Sequence, residues 1–132
     1  MLFTSTRGGD LDLYLADPDG SRLEQLTDTP GYDGGAFFNP TCTAVVWRAS
    51  RPTGAALAEY QTLLGQDRVK PASLEIFWMD LDTRKVEQLT DNGAANFAPY
   101  PVPDDSGVLF ASNRGSAKGT RDTNLFVARW VP

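Results

Sequence analysis

The pentapeptide EQLTD occurs twice in this chain, at Glu24–Asp28 and again at Glu87–Asp91. The two copies lie 63 residues apart, and the match extends upstream without a gap. In that register LDLYLADPDGSRLEQLTD lies over LEIFWMDLDTRKVEQLTD. A match of this length at a fixed offset indicates that the chain is built from a repeated structural unit.

Each copy of the repeat shows the period of two that is typical of β-strands. Apolar residues alternate with other residues in LDLYLAD (11–17) and in LEIFWMD (74–80), and DPDG (17–20) then predicts a tight turn before a short strand that ends in QLT. Two further strands are predicted in AVVWRAS (44–50) and GVLFASN (107–113). Counting an inner strand before each of these, one unit has four antiparallel strands, as in a β-propeller blade.

The residues of one unit, FFNPTCTAVVWRAS followed by LEIFWMDLDTRKVEQLT, resemble the blades of the TolB-like β-propeller family, which are related in architecture to WD repeats. The resemblance covers nearly the whole chain and implies an all-β fold of antiparallel four-stranded blades. Two turns depart from the family pattern, because PTC at Pro40–Cys42 and PDD at Pro103–Asp105 lack its glycine. We therefore expect these two turns to be looser than a tight turn.

The number of strands predicts a partial propeller in a single domain over residues 1–132. Naming the strands a to d outward, residues 1–27 supply b to d, 34–90 a complete blade, and 97–130 strands a to c. The total is about two and a half blades, whereas a closed propeller needs about four or more. The chain is therefore expected to be a fragment of a longer propeller, to associate with copies of itself, or to be covered by a protein partner.

The complete blade contains an insertion at 52–73, between its second and third strands. The insertion is rich in alanine, and a helix is predicted near 55–64 because apolar residues recur there at helical spacing and a glycine follows; these are Leu57, Tyr60, Leu63, Leu64 and Gly65. In a propeller this loop lies on the face that carries the loops between blades. The helix is expected either to pack on the edge of its own blade or to act as a lid or docking element.

Composition excludes several classes of function. The chain has no histidine and one cysteine, Cys42, so Ser-His-Asp and Cys-His catalysis and thiolate metal sites are excluded, and we expect no enzyme activity, cofactor or metal.

A net charge of −5 without a basic cluster argues against nucleic acid as a partner. No apolar run is long enough to insert into a membrane, and the start of the sequence lacks the pattern of a secretory signal. Family relatives are commonly periplasmic, and the sequence leaves the compartment of this chain open.

The loops between blades contain the first candidate ligand-binding residues. Asp33 in YDGG is preceded by Tyr32, and Asn96 occupies the equivalent place in the second copy. Side-chain oxygens of this kind could hold a cation at the mouth of a channel. The simpler interpretation is that they cap turns by bonding local backbone N–H groups.

Arginine recurs at one position of the repeat, at Arg51 and Arg114, with Arg7 as a third instance. The simpler interpretation is a structural pair with an acidic residue between blades, for which Asp17 and Asp80 are candidates. The functional interpretation is a ring of cations that holds an anionic ligand.

The resemblance is specific for fold and weak for function. It favours a non-catalytic protein-interaction or assembly scaffold. It leaves two alternatives open, an accessory propeller of a hydrolase or peptidase and a binder of a small ligand or ion at the channel mouth.

Overall fold

The computed structural model describes residues 1–70, 73–117, 119–120 and 122–131. The described part of the chain forms ten strands and one helix. They are β1 (Leu2–Ser5), β2 (Asp12–Leu15), β3 (Glu24–Gln25), β4 (Asp33–Phe38), β5 (Ala44–Ala49), α1 (Gly54–Leu64), β6 (Glu75–Asp80), β7 (Val86–Gln88), β8 (Asn96–Pro101), β9 (Gly107–Ser112) and β10 (Asn124–Arg129).

The strands form three separate antiparallel sheets of adjacent chain segments. Sheet 1 has the order β1-β2-β3, sheet 2 the order β4-β5-β6-β7, and sheet 3 the order β8-β9-β10. Every strand pairs only with its neighbours in sequence, which is the meander of a propeller blade. The predicted all-β fold of about two and a half blades with a short helical insertion is confirmed.

The first EQLTD fastens the short outer strand β3 to β2. The Thr27 hydroxyl accepts the backbone N–H of Leu13 at 2.9 Å and donates to Asp12 Oδ1 at 3.0 Å. The side-chain amide of Gln25 donates to the Thr27 carbonyl at 2.8 Å and to Asp12 Oδ2 at 3.0 Å. Because β3 has only two residues in the ladder, these side-chain bonds supply much of its attachment.

The second EQLTD repeats this network 63 residues later. The Thr90 hydroxyl accepts the N–H of Ile76 at 2.9 Å and donates to the Glu75 carboxylate, and Gln88 Nε2 donates to the Thr90 carbonyl at 2.8 Å. The repeated phrase is therefore a structural clamp between the third and fourth strands of a blade.

Two apolar cores lie between successive sheets. The core between sheets 1 and 2 contains Leu13, Val45, Trp47, Ala49, Phe77 and Met79. The core between sheets 2 and 3 contains Val46, Ile76, Val108 and Phe110. Sheet 2 is thus buried on both faces, which is why the alternation seen in its sequence does not separate buried from exposed residues.

The turns that lack the family glycine are tight, so the expectation of looser turns is wrong. The N–H of Cys42 donates to the Asn39 carbonyl at 3.0 Å, and the N–H of Asp105 donates to the Val102 carbonyl at 2.9 Å. Cys42 and Asp105 adopt φ values of 56° and 57°, in the left-handed region that glycine usually fills. The hairpin hydrogen bonds impose this conformation on ordinary side chains.

Helix α1 begins at Gly54 and ends at Leu64, as predicted, and Gly65 follows it. Gly65 keeps a right-handed φ of −63°, and Asp67 instead takes the left-handed conformation at φ 57°. Tyr60 is the buried residue of the helix, and its hydroxyl donates to Asp10 Oδ1 in the loop before β2. The helix therefore contacts sheet 1 and not only its own blade. Residues 71 and 72 of the predicted insertion lie outside the described residues.

Candidate binding surface

Asp33 lies at the start of β4 and is completely buried. Its carboxylate receives a two-fold contact from the Arg51 guanidinium, with Nη2 at 2.6 Å from Oδ1 and Nη1 at 2.9 Å from Oδ2. The indole N–H of Trp47 donates to Oδ1 at 2.5 Å. Burial raises the pKa of Asp33 above its ordinary value, and the bonds from Arg51 and Trp47 oppose that rise.

Arg51 pairs within its own sheet, so the predicted pairing with Asp17 or Asp80 is wrong. Arg51 follows the end of β5, which lies beside the start of β4 in the antiparallel ladder. Asp17 lies in the turn at the opposite ends of the strands and pairs with Arg22. Asp80 accepts hydrogen bonds within its own turn. Strand polarity therefore brings Arg51 to Asp33.

Sheet 3 holds the equivalent pair with an amide in place of the carboxylate. Arg114 Nη2 donates to Asn96 Oδ1 at 3.1 Å, and the Ser112 hydroxyl donates to the same oxygen at 2.8 Å. The Asn96 side-chain NH₂ donates to the Leu74 carbonyl at 3.0 Å and to Glu75 Oε2 at 2.9 Å. Asn96 is completely buried and connects sheet 3 to sheet 2.

Each recurring arginine also lies over the aromatic side chains of its own sheet. The guanidinium carbon lies about 5 Å from a ring centroid in every case, a distance at which cation–π attraction acts. These contacts are Arg7 over Phe3 and Tyr14 at 5.2 Å each, Arg51 over Phe77 at 5.1 Å, and Arg114 over Phe110 at 4.9 Å and Phe126 at 5.2 Å.

Tyr32 completes the set of predicted ligand-binding residues. Its hydroxyl accepts from Arg48 Nη2 at 3.1 Å, and its carbonyl accepts the N–H of Ser50 at 2.9 Å. The structure thus gathers Tyr32, Asp33 and Arg51 in sheet 2 and pairs Asn96 with Arg114 in sheet 3. Ligand binding by these five residues stays a prediction.

The sequence did not indicate an acidic cleft of about 510 Å³ beside the C-terminal end of α1. Asp10, Asp12, Asp28 and Asp67 line it, without an accompanying lysine or arginine. Burial is the main reason that the pKa of Asp12 is raised to about 6, and the negative charges of Asp10 and other carboxylates add to it. Among the described residues, no cluster of three or more His, Cys, Asp or Glu side chains could hold a metal ion.

The outer surface of sheet 3 is apolar, and it is most exposed along β10. Phe110 and Phe126 pack toward sheet 2, so alternation turns their neighbours to the other side; we call this side, made by Leu109, Ala111, Leu125 and Val127, the forward face. Leu125 is 72% exposed and Val127 is 51% exposed. Leu109 occupies the repeat position of Val46, which is fully buried against sheet 3.

The opposite end of the stack of three sheets is formed by Phe3, Arg7 and Tyr14, which we call the rear face; Arg7 covers the Tyr14 ring, which is buried. These residues occupy the repeat positions of Trp47, Arg51 and Phe77, respectively. Trp47 and Phe77 pack in the core between sheets 1 and 2, whereas no further sheet among the described residues covers the rear face. The two ends of the stack of three sheets therefore correspond to the two surfaces that pack against each other wherever neighbouring sheets meet inside the chain.

No known family model matches the sequence, and no curated protein shows significant similarity to it. No helix in the described part of the chain has the length and apolar character needed to cross a membrane.

Two solved structures have the same fold over nearly the whole chain. One is described as a TolB from Agrobacterium tumefaciens, with a TM-score of 0.69 and 20% identity, covering 98% of this chain and 41% of that protein. The other is TolB from Acinetobacter baumannii, with a TM-score of 0.70 and 21% identity, covering 98% of this chain and 26% of that protein. This chain spans less than half of the length of either protein. The fold implied by the sequence resemblance is confirmed: the chain has the fold of part of a TolB-like β-propeller.

Proposed function

We propose that this chain is a non-catalytic protein-interaction and assembly scaffold of TolB-like propeller type, and that it binds protein through the forward face. The main observation behind this proposal is that Leu125 and Val127 of sheet 3 are 72% and 51% exposed. Sheet 2, the equivalent sheet of the neighbouring repeat, is buried on both faces. Contiguous exposed apolar surface of this kind typically marks an interaction site.

The internal interfaces indicate what fits the forward face. At the junction of sheets 2 and 3, Val46 and Ile76 pack against the face of sheet 3 that carries Phe110 and Arg114. The equivalent residues on sheet 1 are Phe3 and Arg7, on the rear face. A second copy that places its rear face on the forward face of the first would repeat a contact that the chain already uses internally.

Such head-to-tail association joins two different surfaces, so it can close into a ring or extend as a filament. Two copies with three sheets each would supply six sheets, within the roughly four to eight blades of closed propellers. Self-assembly of this kind would cover both the forward face and the rear face with surfaces that the chain already pairs internally.

The alternative functions have less support from the geometry. Asp33 and Asn96 are fully buried and hydrogen-bonded within the blades, so binding a small ligand or ion would require them to give up those bonds. A role as the accessory propeller of a hydrolase has no specific observation in its favour.

The test is multi-angle light scattering on the wild-type chain and two matched variants. Val127 lies on the forward face and is 51% exposed, and Val86 lies on β7 and is 47% exposed. We expect the wild-type chain and Val86→Asp to show masses of at least twice the 14.4 kDa of one chain, and Val127→Asp to remain at 14.4 kDa. A wild-type chain that stays monomeric up to about 1 mM would overturn self-assembly. Equal masses for the two variants would overturn the assignment to the forward face.

A further inference from the structure

Sheet 1 repeats the arrangement around Arg51 and Arg114, but it lacks the inner strand whose first residue bonds the arginine. In sheets 2 and 3 the arginine after the second blade strand bonds the first residue of the adjacent inner strand, Asp33 or Asn96. In sheet 1 that inner strand is absent among the described residues, because β1 pairs only with β2. The side chain of Arg7 bonds the Ser5 hydroxyl at 3.2 Å, and in the described part of the chain it forms no hydrogen bond or ion pair with an acidic or amide side chain, although Asp12 lies opposite Ser5 in the ladder.

Arg7 nevertheless has the environment of its counterparts. Its guanidinium lies 5.2 Å from the ring centroids of Phe3 and Tyr14, as Arg114 lies over Phe110 and Phe126. Ser5 corresponds to Ser112. Ser112 holds its arginine and also donates to Asn96 Oδ1 at 2.8 Å. A cation and a hydroxyl are therefore in place for an acceptor that sheet 1 does not supply.

The open edge of β1 also offers backbone groups to an added strand. Met1 and Ala16 exchange both backbone hydrogen bonds across β1 and β2. In an antiparallel ladder these paired positions alternate, so Phe3 and Ser5 face β2. The N–H and C=O groups of Leu2 and Thr4 consequently point toward the open edge, which is the geometry that accepts an additional strand.

We propose that the β1 edge is a binding site for an extended segment of another polypeptide that carries Asp or Asn opposite Ser5. The segment runs antiparallel to β1, in the register in which Asp33 faces Ala49 and Asn96 faces Ser112. Its backbone pairs with Leu2 and Thr4, and its carboxylate or amide oxygen accepts hydrogen bonds from Arg7 and Ser5. This site differs from the forward face, because it lies at the β1 edge of sheet 1 and recognises an acceptor through the charge of Arg7. It shares Arg7 with the rear face.

The chain supplies its own probe for the test. A synthetic peptide of residues 31–39, GYDGGAFFN, contains Asp33 in the sequence context that sheet 2 uses, and its Asp33→Ala form is the matched control. We expect isothermal titration to show binding of the Asp peptide to the full chain. The Ala peptide should bind about tenfold more weakly or worse, since it loses a charge-assisted hydrogen bond.

Protein variants assign the effect to Arg7. We expect Arg7→Gln to weaken the Asp peptide about tenfold and to leave the Ala peptide unchanged, because the lost contact is shared. Arg22→Gln, which removes an exposed arginine paired with Asp17, should bind both peptides like the wild-type chain. Equal binding of the two peptides, or an equal loss of both on Arg7→Gln, would overturn the proposal, as would absence of binding.

A second readout locates the bound strand and separates this site from the forward face. Peptide binding should slow hydrogen exchange at the amides of Leu2 and Thr4, and protection confined to other strands would overturn the assignment. Because Val127 lies on sheet 3, Val127→Asp should bind the peptide normally. Failure of self-assembly and failure of strand addition would therefore be observed independently.

Discussion

At the scale of single residues, the threonine of EQLTD has the clearest structural role. Thr27 and Thr90 are buried, and each hydroxyl accepts one backbone N–H and donates to one carboxylate. Both hydrogen-bonding functions of the hydroxyl are used within the blade, so a residue of the same shape without the hydroxyl leaves a buried N–H unsatisfied and removes one hydrogen bond from a buried carboxylate.

Replacing Thr90 by valine preserves the side-chain shape and removes the hydroxyl. We expect Thr90→Val to lower the free energy of unfolding by about 1–3 kcal/mol, because the N–H of Ile76 and the Glu75 carboxylate lose a partner. The control is Thr62→Val on the exposed side of α1, where the hydroxyl bonds only the Ala58 carbonyl, and its effect should stay within about 0.5 kcal/mol. Urea unfolding measures the stability of both variants. Similar losses of stability in Thr90→Val and Thr62→Val would contradict the structural role of the Thr90 hydroxyl.

Asp12 predicts a pH dependence of stability. Its pKa is raised to about 6 in the folded chain from an ordinary value of 3.8, so the folded chain binds more protons than the unfolded chain between these values. Stability due to Asp12 is therefore greatest below pH 4 and is lost as the pH rises through 6. Asp12→Asn removes this titration, so the stability of the variant relative to the wild-type chain should increase from pH 4 to pH 7.

Urea midpoints at four pH values across that range test this expectation. Asp19→Asn is the control, because hydrogen bonds from Ser21 lower the pKa of exposed Asp19, which is the direction opposite to that of Asp12. Its stability relative to the wild-type chain should therefore not increase over the same range. A constant difference for Asp12→Asn would show that Asp12 titrates normally in the folded chain.

At the scale of secondary-structure elements, the sequence predicted strands and helix well and their lateral contacts poorly. The alternation in residues 74–80 and the helical spacing of Leu57 and Tyr60 are local signals, and both elements form where predicted. The partner of Arg51 depends on which strand ends lie side by side, and the local pattern does not contain that information. The tight turn at Cys42 was also missed, because the hairpin on both sides imposes a conformation that the residue itself disfavours.

Substitutions at Cys42 measure the energetic cost of the left-handed conformation that the hairpin imposes on this residue. A left-handed φ of 56° costs an L-residue about 1–2 kcal/mol, and glycine avoids this at a smaller entropic cost in the unfolded chain. We expect Cys42→Gly to be more stable than Cys42→Ala by roughly 0.5–1 kcal/mol in thermal or urea unfolding. An alanine variant at least as stable as the glycine variant would show that the turn changes conformation in solution.

Helix α1 is attached to sheet 1 through the Tyr60 hydroxyl. Burial and the adjacent Asp10 raise the pKa of Tyr60, so the phenol stays protonated and donates to the Asp10 carboxylate. We expect Tyr60→Phe to destabilise the chain by about 1.5–3 kcal/mol, as for hydrogen bonds to charged groups. Tyr100→Phe, at a side chain that is 53% exposed, should change stability by less than about 0.5 kcal/mol. Equal effects would indicate that α1 is held by apolar contacts alone.

At the scale of the whole molecule, the three sheets differ in how many neighbours they have. Sheet 2 contacts a core on each side, whereas sheets 1 and 3 each contact one. Stacked repeats of this kind gain much of their stability from the interfaces between neighbours. The end sheets should therefore open more readily than the middle sheet, and the outermost strands should open first.

Native-state hydrogen exchange tests this order in the monomeric Val127→Asp chain, where assembly does not cover the end of the stack. We expect the slowest amide exchange in β5, which has five buried residues of six, and much faster exchange in β10, an edge strand of an end sheet with no buried residue. Strand β9 should be intermediate, because it lies in an end sheet but pairs on both edges. If assembly uses the forward face, β10 amides should exchange more slowly in the wild-type chain than in the variant while β5 amides do not change. Uniform exchange in all three sheets would show instead that the stack unfolds as one cooperative unit.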